Sequence, residues 1–291
     1  MKTLKIFLQL LLGFTFLFSA YSKIISPGVI EIILVDQGIF SDRLTAGYAV
    51  RLLIGFELAL GLLYFLSYYI KKITIPASLI LLISFTCYLI YSGFILGEKE
   101  NCGCFGTVVE MSPIESIIKN LVLIISAILL LKLIKEEKRN FIAPTMLTAA
   151  SLVMIFLVVP IKDVSDFKFE KYRSFIGAGR VDLAEGDKLL CIFSLDCEHC
   201  QLAAKELWGL ENRIKGFPGT YVLFFSEGGV SVDSFKTLTG SNFPYHMISS
   251  QEFFDFIGTT SPRIYWLKDG IVKKYWDENF IRNIAIEFKR N

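Results

Sequence analysis

Residues 189–200 read Leu189-Leu190-Cys191-Ile192-Phe193-Ser194-Leu195-Asp196-Cys197-Glu198-His199-Cys200. The first seven form an apolar run with the length and bulk of a buried strand. Glu198 to Arg213 then carries Leu202, Ala203, Leu207 and Leu210 at helical spacing. The Cys-x-x-Cys is therefore expected where a strand turns into a helix. Free backbone N–H groups and the helix dipole favour an anion there, so Cys197 is expected to have a lowered pKa and to be the attacking thiolate. Cys200, one turn further in, can resolve a mixed disulfide by attacking the sulfur of Cys197. His199 can add a positive charge or a donor beside that thiolate, while Asp196 and Glu198 pull the pKa the other way. Two other readings stay open. A zinc site would need about four Cys or His ligands, and the other candidates outside the membrane are Cys191, inside the strand, and His246. A structural disulfide across a two-residue gap would close too small a loop to constrain the unfolded chain much. The favoured reading is a redox pair, with no metal.

Working outward, residues 188–291 resemble a thioredoxin-like domain. The resemblance rests on the strand, the Cys-x-x-Cys helix, Thr220 to Phe225 as the next strand, and Thr259-Thr260-Ser261-Pro262 leading into Arg263 to Lys268. It implies that Pro262 is a cis-proline facing the cysteine pair. Asp269-Gly270 reads as a hairpin turn between Arg263 to Lys268 and Ile271 to Trp276. The chain departs from many thioredoxins in having Asp196 where they have Trp. Its middle pair, Glu198-His199, is closer to the x-His pairs of disulfide oxidases.

Upstream the chain is of another kind. Apolar residues make up 53% of its 291 residues, and a mean hydropathy of +0.54 is too high for a soluble protein. The net charge of +2 gives no footing for nucleic acid, and no phosphate-binding glycine motif points to a nucleotide enzyme. Apolar stretches at about 4–22, 45–68, 75–96, 117–133 and 141–160 are long enough to be membrane helices. The first could instead be a signal peptide cleaved near Ser19-Ala20. Residues 23–43 read as a loop touching the membrane surface, with Ser26-Pro27-Gly28 as a turn and Val29 to Val35 as a short interfacial segment. The predicted domains are a four-helix membrane domain over 1–136, a fifth span over 137–161, a charged linker over 162–187 and the thioredoxin-like domain over 188–291. The expected fold class is thus an α-helical membrane bundle followed by an α/β domain.

Basic residues set the expected orientation. Lys2, Lys5, Lys71, Lys72, Lys132, Lys135, Lys138 and Arg139 fall on one side; Lys23, Arg43, Lys99 and Lys119 fall on the other. The richer side is taken as cytoplasmic. The loop at 97–113 and everything after 161 then lie outside, in the periplasm of a bacterium with two membranes. Both cysteine pairs, Cys197/Cys200 and Cys102/Cys104, thus fall on the oxidising side, where disulfides persist.

Asn101-Cys102-Gly103-Cys104-Phe105-Gly106 lies at the outer end of the third span. A Cys-x-Cys disulfide closes a very tight ring, and strained, exposed disulfides are the labile or catalytic ones. The alternatives are a reduced, buried pair and, with Cys87, a metal site, for which the ligands are too few. With Gly13, Ser19 and Lys23 in the first span and Glu57 with Gly61 in the second, this stretch resembles the MauE family, related to the DoxX-like four-helix membrane proteins. The resemblance covers about residues 4–135. It implies disulfide formation in, or maturation of, exported thiol-containing proteins. Analogy with membrane oxidoreductases of the vitamin K epoxide reductase type implies a quinone as terminal acceptor, with no covalently bound cofactor.

Two ionisable residues fall inside the second span, Arg51 and Glu57, each costing about 2.5–3.5 kcal/mol there unless paired or hydrated. Six positions apart, they are not expected to pair with one another. Arg51 is expected to snorkel outward. Glu57 is expected either to contact a quinone or carry protons, or to hold a structural hydrogen bond. The reading as a whole is a multi-pass inner-membrane thiol-disulfide oxidoreductase: Cys197 and Cys200 exchange disulfides with exported substrates, and Cys102 and Cys104 relay electrons to a membrane acceptor. A periplasmic reductase and a non-catalytic assembly factor that traps client cysteines are the alternatives.

Overall fold

The structure, a computed structural model, describes residues 2–67, 70–95, 111–135, 142–161, 167–258, 261–277 and 279–289. It divides into two compact units, Met1–Ile161 and Lys162–Asn291. Cys102 and Cys104 lie outside the described residues.

The first unit is helical: α1 (Lys2–Ile25), α2 (Pro27–Asp36), α3 (Arg43–Leu66), α4 (Ile75–Ile90), α5 (Pro113–Leu133) and α6 (Ile142–Val158). Single π-helical turns, Ile70–Thr74 and Tyr91–Ile95, extend α4 at both ends. Four of these segments are long and apolar enough to cross a membrane, and α6 is a shorter apolar helix. α3 is the hub, packing on α1, α2 and α6, while α5 packs on α4 and α1. Without water there is no hydrophobic drive between such helices, so small residues that admit close backbone approach hold them together. At Gly61 of α3 an added Cβ would lie 2.6 Å from the Leu17 side chain and 3.0 Å from its backbone nitrogen. At Gly55 it would lie 2.6 Å from Leu152 of α6. Leu12, Phe16, Tyr64, Leu123, Ala127 and Leu130 fill the core, whereas Phe14, Ile80 and Leu157 are exposed on the outer surface, as a lipid-facing wall requires.

Residues 23–43 are not a surface loop. Lys23 belongs to α1, and α2 starts at Pro27 with Ile30, Glu31 and Ile32 buried. The cause is electrostatic. Glu31 accepts bonds from Arg43, at 2.9 Å, and from Arg51, which ties α2 down onto α3. Arg51 does not snorkel outward. It is 4% exposed and also donates to the carbonyls of Val159 and Pro160, at 3.1 and 3.4 Å. Its neighbourhood also relieves the carbonyls at the end of α6.

The second unit is an α/β domain: the short strands β1 (Ser174–Phe175) and β2 (Gly179–Arg180), then β3 (Asp187–Ser194), α7 (Glu198–Glu211), β4 (Gly219–Phe225), α8 (Val232–Thr239), β5 (Tyr245–Met247), α9 (Ser250–Phe256), β6 (Arg263–Lys268), β7 (Ile271–Trp276) and α10 (Phe280–Lys289). The main sheet has five strands in the order β5-β4-β3-β6-β7. β3 is parallel to β4 and antiparallel to β6, and the β6–β7 hairpin turns at Asp269-Gly270. Both turn residues have positive φ, 50° and 80°, which an Asp-Gly pair supplies at little cost. β3 sits at the centre, buried from Leu189 to Ser194, as its unbroken apolar run demands. This is the thioredoxin-like architecture.

The unit also takes in residues that the charge pattern assigns to a linker. Phe167, Phe169, Tyr172, Phe175 and Leu183 are all buried. Phe169 packs 5.0 Å, ring to ring, from both Phe256 of α9 and Tyr265 of β6. The charged residues between these aromatics are solvated, so the segment is an aromatic cover on one face of the sheet.

Candidate active site

β3 carries the chain through the core and releases it at Leu195-Asp196, and Cys197 then caps α7. Cys197 holds φ −88° and ψ 116°, the extended conformation of an N-cap, and its Sγ accepts the backbone N–H of Cys200 at 3.3 Å. A sulfur thus replaces the usual Ser or Asp oxygen. From the segment just before β6, Ser261 donates its hydroxyl to the same sulfur at 3.4 Å. The Ser261–Pro262 peptide is cis, as the resemblance implies for Pro262. The neighbouring carbonyl of Ser261 stands 3.9 Å from Sγ of Cys197.

These contacts make the two thiols unequal. The Cys200 thiol, the Ser261 hydroxyl and the backbone N–H groups of Cys200 and His199 all bond the Cys197 sulfur, and together they outweigh its partial burial and lower its pKa to about 5. Burial, then the adjacent sulfur of Cys197, pushes the Cys200 thiol far up. At neutral pH the outer sulfur is thus an anion and the inner one a thiol that donates to it. Asp196 and Glu198 do not reverse this. A carboxylate oxygen of Asp196 is turned to the backbone N–H of Glu227 at 2.9 Å, and Glu198 is exposed. His199 also has an exposed side chain; what it gives the sulfur is its backbone N–H. Nothing in the local sequence marks Ser261 as a partner of the dithiol. Its only signal is that it precedes Pro262, 64 residues after Cys197.

Cys191 is wholly buried in the core of the domain. The Nδ1 atom of His246 lies 2.9 Å from the Ser174 carbonyl. Among the described residues no three His, Cys, Asp or Glu side chains are grouped as a metal would need.

A second polar centre lies inside the helical unit. The Nζ atom of Lys23 is 3.0 Å from both carboxylate oxygens of Glu57 and 2.5 Å from the Ser19 hydroxyl, which itself donates to Glu57 at 3.0 Å. Both charged side chains are nearly inaccessible, at 3% and 1% exposure. Lys23, which counts as an outside marker in the charge tally, is instead the partner of Glu57. The separation of Glu57 from Arg51 is as the six-residue spacing requires: each has its own counter-ion, Lys23 and Glu31.

Residues 1–133 match the family described as methylamine utilisation protein MauE. Protein TlpB of Flavobacterium psychrophilum is 29% identical to this chain, over 93% of this chain and 90% of that protein. No solved structure matches it. The family match ends at the last residue of α5, and the similarity to the Flavobacterium protein runs on through the α/β unit. The chain is thus a multi-pass membrane protein in which a MauE-like membrane region is fused to a further, thioredoxin-like domain.

Proposed function

We propose that the protein is a membrane-anchored thiol-disulfide oxidoreductase that works in the oxidising direction on exported, thiol-containing proteins. The observation that carries this reading is the inequality of Cys197 and Cys200. An N-cap thiolate stabilised by four donors is a good leaving group, and a dithiol held in that form makes its disulfide more oxidising. In the reaction a client thiolate attacks the Cys197–Cys200 disulfide at Cys197 and releases the Cys200 thiolate, which takes up a proton. A second client thiolate then attacks the client sulfur and releases Cys197 as the thiolate. The client gains a disulfide; the pair is left as a dithiol.

Recharging the pair falls to Cys102 and Cys104 in this reading. The exchange conserves electrons: the membrane disulfide is reduced as the Cys197–Cys200 disulfide re-forms. The two electrons and two protons then leave to a lipid-soluble acceptor, for which a quinone is the chemical class. In this reading the α/β domain and the loop at 97–113 are on the periplasmic side. Pro262 and Ser261 flank the sulfur that meets the client, Glu57 serves the membrane half, and the lipid bilayer is the remaining partner.

The direct test is turnover. The full-length protein in lipid nanodiscs with decylubiquinone should oxidise many equivalents of a dithiol peptide, and Cys197→Ser should abolish this. A stoichiometric mixed disulfide with no turnover would mark a client-trapping assembly factor instead. Net reduction of disulfide peptides would mark a reductase.

A further inference from the structure

α1 to α5 enclose a cavity of about 280 Å³, within reach of the size range of small-molecule sites. Phe16, Ile30, Leu34, Leu53, Leu82 and Leu123 line its apolar part. Its polar part is formed by Ser19, Lys23 and Glu57, with Tyr88, Lys119 and Asn120 also on the wall. The ammonium of Lys23 lies 5.7 Å from the ring centre of Phe85, another lining residue.

Packing does not account for the ion pair. A buried Lys–Glu pair is no more stable than well-packed apolar side chains of the same volume, and inside a bilayer both charges are costly. The pair moreover faces a void that a larger apolar residue would close. An ionisable pair kept at the wall of an apolar cavity, deep in a membrane bundle, is the arrangement of a ligand site. The wall chemistry describes the ligand. It is soluble in lipid, since most of the wall is hydrocarbon. It carries an oxygen atom that can accept a hydrogen bond, since the Lys23 ammonium and the Ser19 hydroxyl stand together on the wall beside Glu57. Ring faces line the same space.

We infer that this cavity binds the ring of a quinone, with Lys23, Glu57 and Ser19 as the residues that position it. The inference rests on the proposed function for its choice of a redox-active ligand. A quinone supplies the two-electron, two-proton acceptor that dithiol oxidation requires: two S–H bonds break, one S–S bond forms, and a quinol leaves. Lys23 and Ser19 present their donors to a ring oxygen from a wall that is mostly hydrocarbon.

Binding can be measured without turnover. The full-length protein carrying Cys102→Ser and Cys104→Ser, in quinone-free phosphatidylcholine nanodiscs, would be photolabelled with an azido-benzoquinone, with decylubiquinone as competitor. Saturable, competed labelling of peptides from α1, α4 or α5 is expected. Ser84 lies on the wall at an exposed position, so Ser84→Phe puts a ring into the cavity at little cost to the fold. That variant should weaken competition by decylubiquinone about tenfold or more. Thr15→Phe, at another lining position, should do the same, and Glu57→Gln should weaken it several-fold. Labelling that does not saturate, or that both Phe variants leave unchanged while helix content stays at the wild-type level, overturns the site. Because the labelled protein lacks Cys102 and Cys104, the two readings can fail separately. Binding with no effect of Cys102→Ser on the redox state of Cys197 in cells would leave the site standing and sink the proposed function. An effect without binding would do the reverse.

Discussion

Cys197 and Cys200 differ by three positions and by whether the proton stays. With its pKa near 5, Cys197 is roughly 99% thiolate at pH 7. Iodoacetamide labelling of the reduced protein should therefore titrate with a midpoint near pH 5, against about 8.5 for a free thiol, with Cys200 unlabelled throughout. Ser261→Ala removes one donor to the sulfur and should move that midpoint upward by about half a unit to one unit; an unchanged midpoint would show that the hydroxyl plays no part. The linkage has a definite sign. The folded value lies below the unfolded one, so the thiolate's stabilisation of the reduced domain is complete above about pH 8.5 and is lost as pH falls through about 5. The strand-to-helix position of Cys197 is visible in the sequence because apolar run, spacing and cysteines are contiguous. Ser261 is not visible, because a contact made across 64 residues leaves no periodicity to read.

At the scale of elements, the aromatic cover of residues 167–175 is where charge misleads. Lys168, Glu170, Lys171 and Arg173 alternate with Phe167, Phe169, Tyr172 and Phe175, and solvated charges dominate composition although the aromatics carry the packing. Phe169 has no exposure, and Phe169→Ala should cost about 3–5 kcal/mol. All three Trp residues, Trp208, Trp266 and Trp276, lie in the α/β domain, so urea unfolding followed by Trp fluorescence reads that cost directly. A loss under 1 kcal/mol, on the order of a surface change, would mean that the segment is only a tether. The cover is pinned by Glu252, which caps α9 through Ser249 and accepts Lys171 at 2.6 Å and Tyr172 at 2.8 Å. Burial raises the Glu252 pKa, but the bonds from Lys171, Tyr172 and the Ser249 N–H prevail and bring it to about 2. A depressed carboxyl contributes stability above its unfolded pKa, about 4.3, and loses it as pH falls from there through 2. Glu252→Gln should accordingly lower stability at pH 7 by about 1 kcal/mol and flatten the profile below pH 4.5. In the membrane unit the spans are legible from length and hydropathy alone. For α2 the apolar run Val29 to Val35 is visible but its burial is not, because its anchor is the Glu31 ion pairs and not an apolar period.

For the whole molecule, two charge clusters and two cysteine pairs divide the work. Neither charge of a cluster can be lost alone: removing either partner of Lys23–Glu57 strands a buried charge, which typically costs about 3–5 kcal/mol. Lys23→Met and Glu57→Leu should each lower the melting temperature of the detergent-solubilised protein, and the double variant should recover most of the loss. A double variant as unstable as the sum of the two would show that the pair is not coupled. The cysteine pairs, in the proposed function, form one relay, and the arrangement that makes this possible is the fusion of a MauE-like region to a thioredoxin-like domain in one chain. Its most direct test is thiol trapping in native membranes, comparing wild type with Cys102→Ser and Cys104→Ser. The expected result is Cys197 and Cys200 oxidised in wild type and accumulating as the dithiol in both variants. Cysteines already reduced in wild type, or equally oxidised in all three proteins, would contradict the relay.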